Sequence, residues 1–376
     1  MELTLPQQTR GARFTPLVQD LPATVPFVGP EAQERARGRS FRARIGANES
    51  VFGPSPKAIE AMRKAAADCW MYADPENYQL KHALARHHGV KPENIVVGEG
   101  IDALLGYAVR LVIEPGQAVI TSLGAYPTFN FHVAGFGGKL VRVPYRGDRE
   151  DPQALVETAR REDARLVYFA NPDNPMGSWW SAADVRRLIE ALPAGAVLLL
   201  DEAYSDTAPV DAIPPIDVGN PQVLRLRTFS KAYGMAGLRV GYAIGEANLI
   251  QSFDKIRNHF GVNRMAHAAA LASLADPEYL AGVVEKIASA RARIGAISRD
   301  NGLEPLPSAT NFVAIDCGGD GAFAKRVLNE LIARDVFVRM PGVAPLDRCI
   351  RISAGTDADL DILAAVLPEA LKAARG

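Results

Sequence analysis

From about residue 50 to residue 250 the chain alternates between two hydrophobic rhythms. Short, continuous apolar runs end abruptly in polar or glycine-rich turns, at 94–97, 118–120, 166–169, 197–200, 223–226 and 239–244. Longer stretches with helical spacing lie between most of them, among them 56–68, 101–112 and 182–192. Runs that are apolar throughout predict strands buried on both faces. Strand-helix alternation then predicts an α/β fold with a mainly parallel sheet flanked by helices. Ligands of such sheets bind beyond the carboxyl ends of the strands, so the residues that end the runs are the ones to inspect.

Past Pro277 the texture changes. Residues 279–301 read as one long helix rich in Ala, Arg and Ile. Short strands are expected at 311–315 and 349–352, with a helix at 322–335 between them and a last helix at 357–374. This pattern predicts a smaller α/β domain, onto which the Pro- and Arg-rich first 46 residues wrap. The expected organisation is a major domain over 47–276 and a small domain built from 1–46 and 277–376.

Composition narrows the function classes. The 376 residues suit two domains, and 48% hydrophobic content is enough for a sizeable core. A formal net charge of -1 offers no basic surface for nucleic acid. Cys69, Cys317 and Cys349 are few and far apart, which suggests neither a disulfide framework nor a zinc site and points to a reducing cytoplasm. The six histidines contain no metal-binding helix pair; His87 and His88 are adjacent, poorly placed to share a metal, and read as surface residues. Residues 1–11 lack the apolar core of a secretory signal, and the longest apolar stretch, 196–200, is too short to span a bilayer.

Four segments at strand ends carry candidate chemistry. Lys231 follows the 223–226 run in Thr228-Phe229-Ser230-Lys231, eight residues before Arg239. An amine beside a hydroxyl and a second cation suits a Schiff base next to a bound phosphate; the plain alternative is a surface lysine. Asp201 ends a buried strand in Leu199-Leu200-Asp201-Glu202-Ala203-Tyr204, where a carboxylate needs a partner such as a protonated ring nitrogen, or else serves as a cap or structural ion pair. Asn171-Pro172-Asp173-Asn174-Pro175-Met176-Gly177 is a rigid turn that can aim its side-chain amides, or an ordinary surface turn. Gly98-Glu99-Gly100-Ile101-Asp102 joins a strand to a helix start whose free amides suit phosphate. The same letters fit a dinucleotide fingerprint, with Glu114 as the ribose-binding acid and a nicotinamide dehydrogenase as the distant alternative.

As an ordered set, these segments resemble the fold-type I pyridoxal-phosphate aminotransferases, closest to the histidinol-phosphate aminotransferase branch. The resemblance runs from Ala47-Asn48-Glu49-Ser50 to Arg351-Ile352-Ser353-Ala354-Gly355. It implies pyridoxal 5'-phosphate as cofactor, held by Lys231 through its amine and by Asp201 at the pyridine nitrogen. Tyr204 and Asn174 would hold the phenolate oxygen. Ser230, Arg239 and the backbone at Gly100, Ile101 and Asp102 would grip the phosphate, and Tyr126 would stack on the ring, with Phe129 as its rival. Tyr72 matches a tyrosine that reaches the phosphate of the other subunit, which implies a homodimer with composite sites. Arg351 matches the substrate-carboxylate arginine and Arg339 a second anion contact for the phosphate of histidinol phosphate. The implied substrates are an amino acid and a 2-oxo acid such as 2-oxoglutarate, used in a ping-pong cycle, and no nucleic acid or membrane partner is implied.

Departures from that pattern gather on the substrate side. Ser50 and Val51 stand where the branch has Asn and Pro, Met176 replaces Thr, and Phe27 falls near a substrate-contacting tyrosine and lacks its hydroxyl. Ile101 and Ala103 replace a small residue and an acid. Transamination of an aromatic or other neutral amino acid, or decarboxylation as in the threonine-phosphate decarboxylases, therefore stands beside the histidinol-phosphate reading.

Overall fold

The computed structural model describes residues 12–23 and 28–376. Twelve strands occur among them: β1 (Ala43–Arg44), β2 (Ile95–Gly98), β3 (Ala118–Ser122), β4 (Lys139–Val143), β5 (Leu166–Ala170), β6 (Val197–Asp201), β7 (Val223–Thr228), β8 (Gly241–Ile244), β9 (Glu304–Pro305), β10 (Phe312–Asp316), β11 (Val336–Phe337) and β12 (Cys349–Ser353). Seven of these form one sheet in the order β2-β8-β7-β6-β5-β3-β4. Its pairings are parallel except the two made by β8, which runs against β2 and β7.

The apolar runs become strands because helices cover both faces. β3 and β5 are buried at every position. The helix Ile101–Val112 turns Leu104, Leu105, Ala108 and Val109 onto a core shared with Val119, Leu199 and Leu224. On the other face, Val167, Phe169, Leu198 and Leu200 pack with Val185 and Leu188 of the helix Ala182–Glu190. Ser181 and Asp184 start that helix with a reciprocal capping box. The sequence pattern does not predict β4, and burial explains why. It is an edge strand with Lys139 and Arg142 exposed, so it shows no continuous apolar run.

A separate core gathers the two ends of the chain. Ala43 and Ile45 pack with the long helix Pro277–Asp300, with Gly321–Ala333 and with Asp357–Arg375. β1 pairs in parallel with β11, and Arg37 and Arg39 both hold Asp335. β12, β10 and β9 form a three-stranded antiparallel sheet beside them. His88, expected at the surface, instead turns inward and meets the Tyr242 hydroxyl at 2.8 Å. Burial, then the charge of Arg227, depresses its pKa to about 3.

Candidate active site

The carboxyl ends of β2, β5, β6 and β7 open onto one cleft, as sheet topology requires. β8 (Gly241–Ile244) runs the other way, so Arg239, two residues before it, arrives at the same edge as the residues that follow its neighbours. The cleft is lined by Ile101, Asp102, Tyr126, Tyr168, Asn174, Asp201, Tyr204, Ser230, Lys231 and Arg239 among others. Ten of the fourteen residues expected at the site thus map to one place once Gly100, which presses directly against Arg239, is included.

At the floor, Asp201 is buried and accepts from the Tyr168 hydroxyl at 2.7 Å and from Ala203 N at 2.9 Å. Burial pushes its carboxyl up to about 6, because both donors are neutral and cannot replace the lost water. Lys231 Nζ donates to the Asn48 carbonyl at 3.3 Å and lies 5.6 Å from the centre of the Tyr204 ring. The Tyr204 hydroxyl accepts from Asn48 Nδ2 at 3.1 Å, which leaves its own proton free to donate elsewhere.

At one end the helix Ile101–Val112 begins without a side-chain cap, so its first amides face the cleft. Gly100 takes a left-handed φ of 83°, and any side chain there would strike the Arg239 guanidinium. Arg239 itself adopts a left-handed φ of 56°, a strained choice for an arginine that tends to mark functional positions. Its Nη2 lies 3.7 Å from Asp102 Oδ2 and 3.4 Å from the Glu99 carbonyl. The Tyr126 hydroxyl donates to Asp102 Oδ1 at 2.7 Å, which fixes the ring at the cleft wall. Phe129, its rival, is fully buried and stacks on Tyr168 instead. The Ser230 amide donates to Thr228 Oγ1 at 3.0 Å, while Thr228 Oγ1 lies 2.9 Å from Ser230 Oγ.

At the opposite end, Arg351 Nη1 donates to Asn174 Oδ1. That contact fixes the orientation of the Asn174 amide and turns its NH₂ group away from the arginine. Arg351 Nε is buried and has no hydrogen-bond partner among the described residues. Burial pulls the guanidinium pKa down to about 10, so the group is short of anionic company. Arg339 bridges backbone to backbone with Arg351, at 3.2 and 2.6 Å. Two arginines facing one another across strands repel unless an anion sits between them. Arg339 also donates to the Val28 carbonyl at 3.0 Å.

The family "Aminotransferase class I and II" matches residues 44–367. The chain belongs to the class I and II aminotransferases. A solved structure of histidinol-phosphate aminotransferase from Sinorhizobium meliloti, in complex with pyridoxal-5'-phosphate, is 59% identical, covers 96% of this chain and 98% of that one, and has a TM-score of 0.94. Histidinol-phosphate aminotransferase 1 of Mesorhizobium japonicum is 34% identical over 336 residues, 88% of this chain and 90% of its own length. L-threonine-O-3-phosphate decarboxylase from Porphyromonas gingivalis, at 21% identity, a TM-score of 0.75 and coverage of 88% of this chain and 99% of that one, shares the fold alone.

The dinucleotide alternative falls with that assignment. Glu114, its ribose-binding acid, lies just past the far end of the helix that starts at Ile101, roughly 18 Å from the glycine turn. In this aminotransferase Tyr72 does not reach its own cleft. It is 77% exposed, with its ring 4.7 Å from that of Phe260, and Trp70 beside it is 81% exposed. Phe27 lies outside the described residues. Met176 is buried against Ala314, Leu346 and Cys349, so it packs rather than lines the cleft.

Sequence reasoning missed Asn48 and Tyr168. Asn48 was legible only as part of a motif, yet it touches Lys231, Tyr204, Ser353 and Asn311. Tyr168 sits in an apolar run, and only the register of β5 beside β6 puts its hydroxyl on Asp201.

Proposed function

We propose that this enzyme moves the amino group of histidinol phosphate to 2-oxoglutarate in a ping-pong cycle. It is a pyridoxal-phosphate-dependent transaminase, and the finer reading concerns its substrates and the role of each residue. A single observation carries it. One cleft presents an amine at Lys231, a buried acid at Asp201 and Arg239 beside an uncapped helix start, and Asn174 on its wall is held by Arg351.

The residues fit the cofactor. Asp201 is a buried carboxylate lacking a strong cationic partner, and the uncapped helix start with Arg239 offers amides and a fork for phosphate. Ser230 adds a hydroxyl there. When bound, pyridoxal phosphate supplies an electron-poor ring that spreads negative charge away from the substrate α-carbon. Asp201 would keep the ring nitrogen protonated by pairing with it, Tyr126 would cover the ring, and Tyr204 and the Asn174 NH₂ group would donate to the phenolate oxygen. Lys231 Nζ would anchor the cofactor through its amine and is the group placed to carry a proton from the substrate α-carbon. The guanidinium of Arg351 grips the substrate carboxylate, which also satisfies its orphan Nε, and Arg339 takes the distal phosphate.

The residues 47–276 form the cofactor domain in this reading, and 1–46 with 277–376 the small domain that brings Arg339 and Arg351. The exposed Tyr72 supports a homodimer in which each protomer lends that hydroxyl to the other's phosphate cup. The test is a spectral titration of the yellow holoenzyme with single amino acids. Histidinol phosphate and glutamate should each bleach the visible band by giving up an amino group. Bleaching by phenylalanine and not by histidinol phosphate would replace the proposed substrate with an aromatic one. Release of carbon dioxide without an amino-group transfer would replace the reaction.

A further inference from the structure

Met176 departs from the branch pattern and has no part in the chemistry above, yet it is buried where the 171–177 turn meets the β12-β10-β9 sheet. Strand register explains the joint. β10 and β12 run antiparallel with Phe312 opposite Ser353, Ala314 opposite Arg351 and Asp316 opposite Cys349. Side chains alternate along a strand, so these six share one face of the sheet. The residues between them, Val313, Ile315, Ile350 and Ile352, belong to the core gathered from the chain ends.

The face with Arg351 lies on the turn. Arg351 meets Asn174, and its guanidinium is 5.0 Å from the centre of the Phe312 ring. Further along the turn, Met176 packs against Ala314, Leu346 and Cys349. Gly177 takes a left-handed φ of 78°, its carbonyl accepts from Ala309 N at 2.9 Å, and a side chain there would run into Ser308. At the edge of the face, Arg348 donates through Nε to Asp316 at 2.7 Å and through Nη2 to Asp148 at 2.9 and 3.1 Å. Asp148 follows β4 of the seven-stranded sheet, so this ion pair spans the two sheets.

The turn is also held from its own side. Asn171 Nδ2 donates to the Ala212 carbonyl at 2.8 Å and Asn171 Oδ1 accepts from Trp180 N at 2.8 Å. Asp173 accepts from the Tyr145 hydroxyl at 2.9 Å. A turn fixed in this way stays in place when a contact with the three-stranded sheet is lost. The sheet is then the part that shifts, and Arg351 moves with it.

We propose that Met176 and the Asp148–Arg348 pair are positioning residues for Arg351. The Met176 side chain sets the gap between turn and sheet, and the ion pair fixes the edge of the sheet. Methionine reaches farther than the Thr of the branch, and Ala314 leaves room for that length. The inference rests on the reading of Arg351 as the arginine that takes the substrate carboxylate.

The test uses holoenzyme carrying Met176→Ala, Met176→Leu or Asp148→Lys. It reads KM for 2-oxoglutarate, kcat and the visible band of the bound cofactor. Met176→Ala leaves a cavity beside Arg351 and should raise KM roughly tenfold. Its kcat should stay within about twofold and its band should not move, because Asn174 stays in place. Met176→Leu, close in volume, should return KM to the wild-type range. Asp148→Lys repels Arg348 at a partly exposed position and should also raise KM roughly tenfold. It decides alone if Met176→Ala does not fold. An unchanged KM in folded Met176→Ala or in Asp148→Lys overturns the inference. Arg351→Ala, assayed in parallel, separates the causes: a raised KM there spares the carboxylate reading, and an unchanged one overturns both.

Discussion

The two walls of the cleft are built differently. The cofactor wall comes from the edge of one sheet: Asp201 ends β6, Lys231 and Ser230 follow β7, Arg239 precedes β8, and Asn174 follows β5. Register along that sheet sets their spacing, so neighbouring strands position them with little freedom. In the proposed reading the substrate wall is assembled from distant pieces: Arg351 on β12, Arg339 bridged to it, and Asn311 just before β10. Asn48 joins the walls. Its amide donates to Ser353 Oγ at 3.0 Å, its side chain donates to Tyr204, and its carbonyl accepts from Lys231 and from Asn311 Nδ2 at 3.0 Å. The difference teaches where change is tolerated. In the proposed reading the sheet edge serves any substrate of the cofactor, while the assembled wall chooses among them.

Substitutions can break or sharpen that contrast. Lys231→Ala should have the largest effect, lowering kcat by more than about a thousandfold, because the proton carrier is gone. Retained turnover would remove Lys231 from the mechanism. On the other wall, Arg351→Ala should raise KM for 2-oxoglutarate about 30-fold, corresponding to roughly 2 kcal/mol for a truncated buried charge pair. Cofactor affinity should fall far less, a few-fold at most, through the loosened Asn174 amide that Arg351 orients. An unchanged KM would move the carboxylate site elsewhere.

A pH series tests the cofactor wall alone. Because burial pushes Asp201 up to about 6, the apoprotein binds a proton there more tightly than an unfolded chain does. Its ionisation weakens folding as pH rises from the ordinary carboxyl range to that value, and the cationic ring nitrogen then offsets the penalty. Affinity for pyridoxal phosphate should therefore weaken below about pH 6, by up to roughly tenfold per unit from this group, and level off above it. Asp201→Asn should bind weakly at every pH and lack that component, as fluorescence titration of the apoprotein would read. The smallest effect belongs to Tyr168→Phe. Losing one neutral hydrogen bond, about 1 kcal/mol, should move the Asp201 inflection upward and lower cofactor affinity a few-fold. No movement of the inflection would mean that the hydroxyl does not tune the acid.

Much of the cofactor wall was legible in the sequence because its residues stand next to apolar runs. The runs marked β6 and β7, and what followed them was chemistry. Arg239 was legible as a residue, but the reason it reaches the cleft was not, since an antiparallel β8 leaves no trace in a run of apolar letters. β4 was invisible for a related reason, as a half-exposed edge has no unbroken run. The substrate wall was legible only through resemblance, because its parts meet through pairings such as Ala314 with Arg351 that span the small domain. The partners of Asn48 and Tyr168 stayed hidden. A polar residue that ends up buried looks like any other until its partner is known.

The most direct test of the account is where the cofactor attaches. Holoenzyme treated with borohydride, which makes a lysine-cofactor link permanent, is digested and its peptides are weighed. A single added pyridoxyl group is expected, on the peptide containing Lys231. A label on a different lysine, or no label on protein saturated with pyridoxal phosphate, would contradict it.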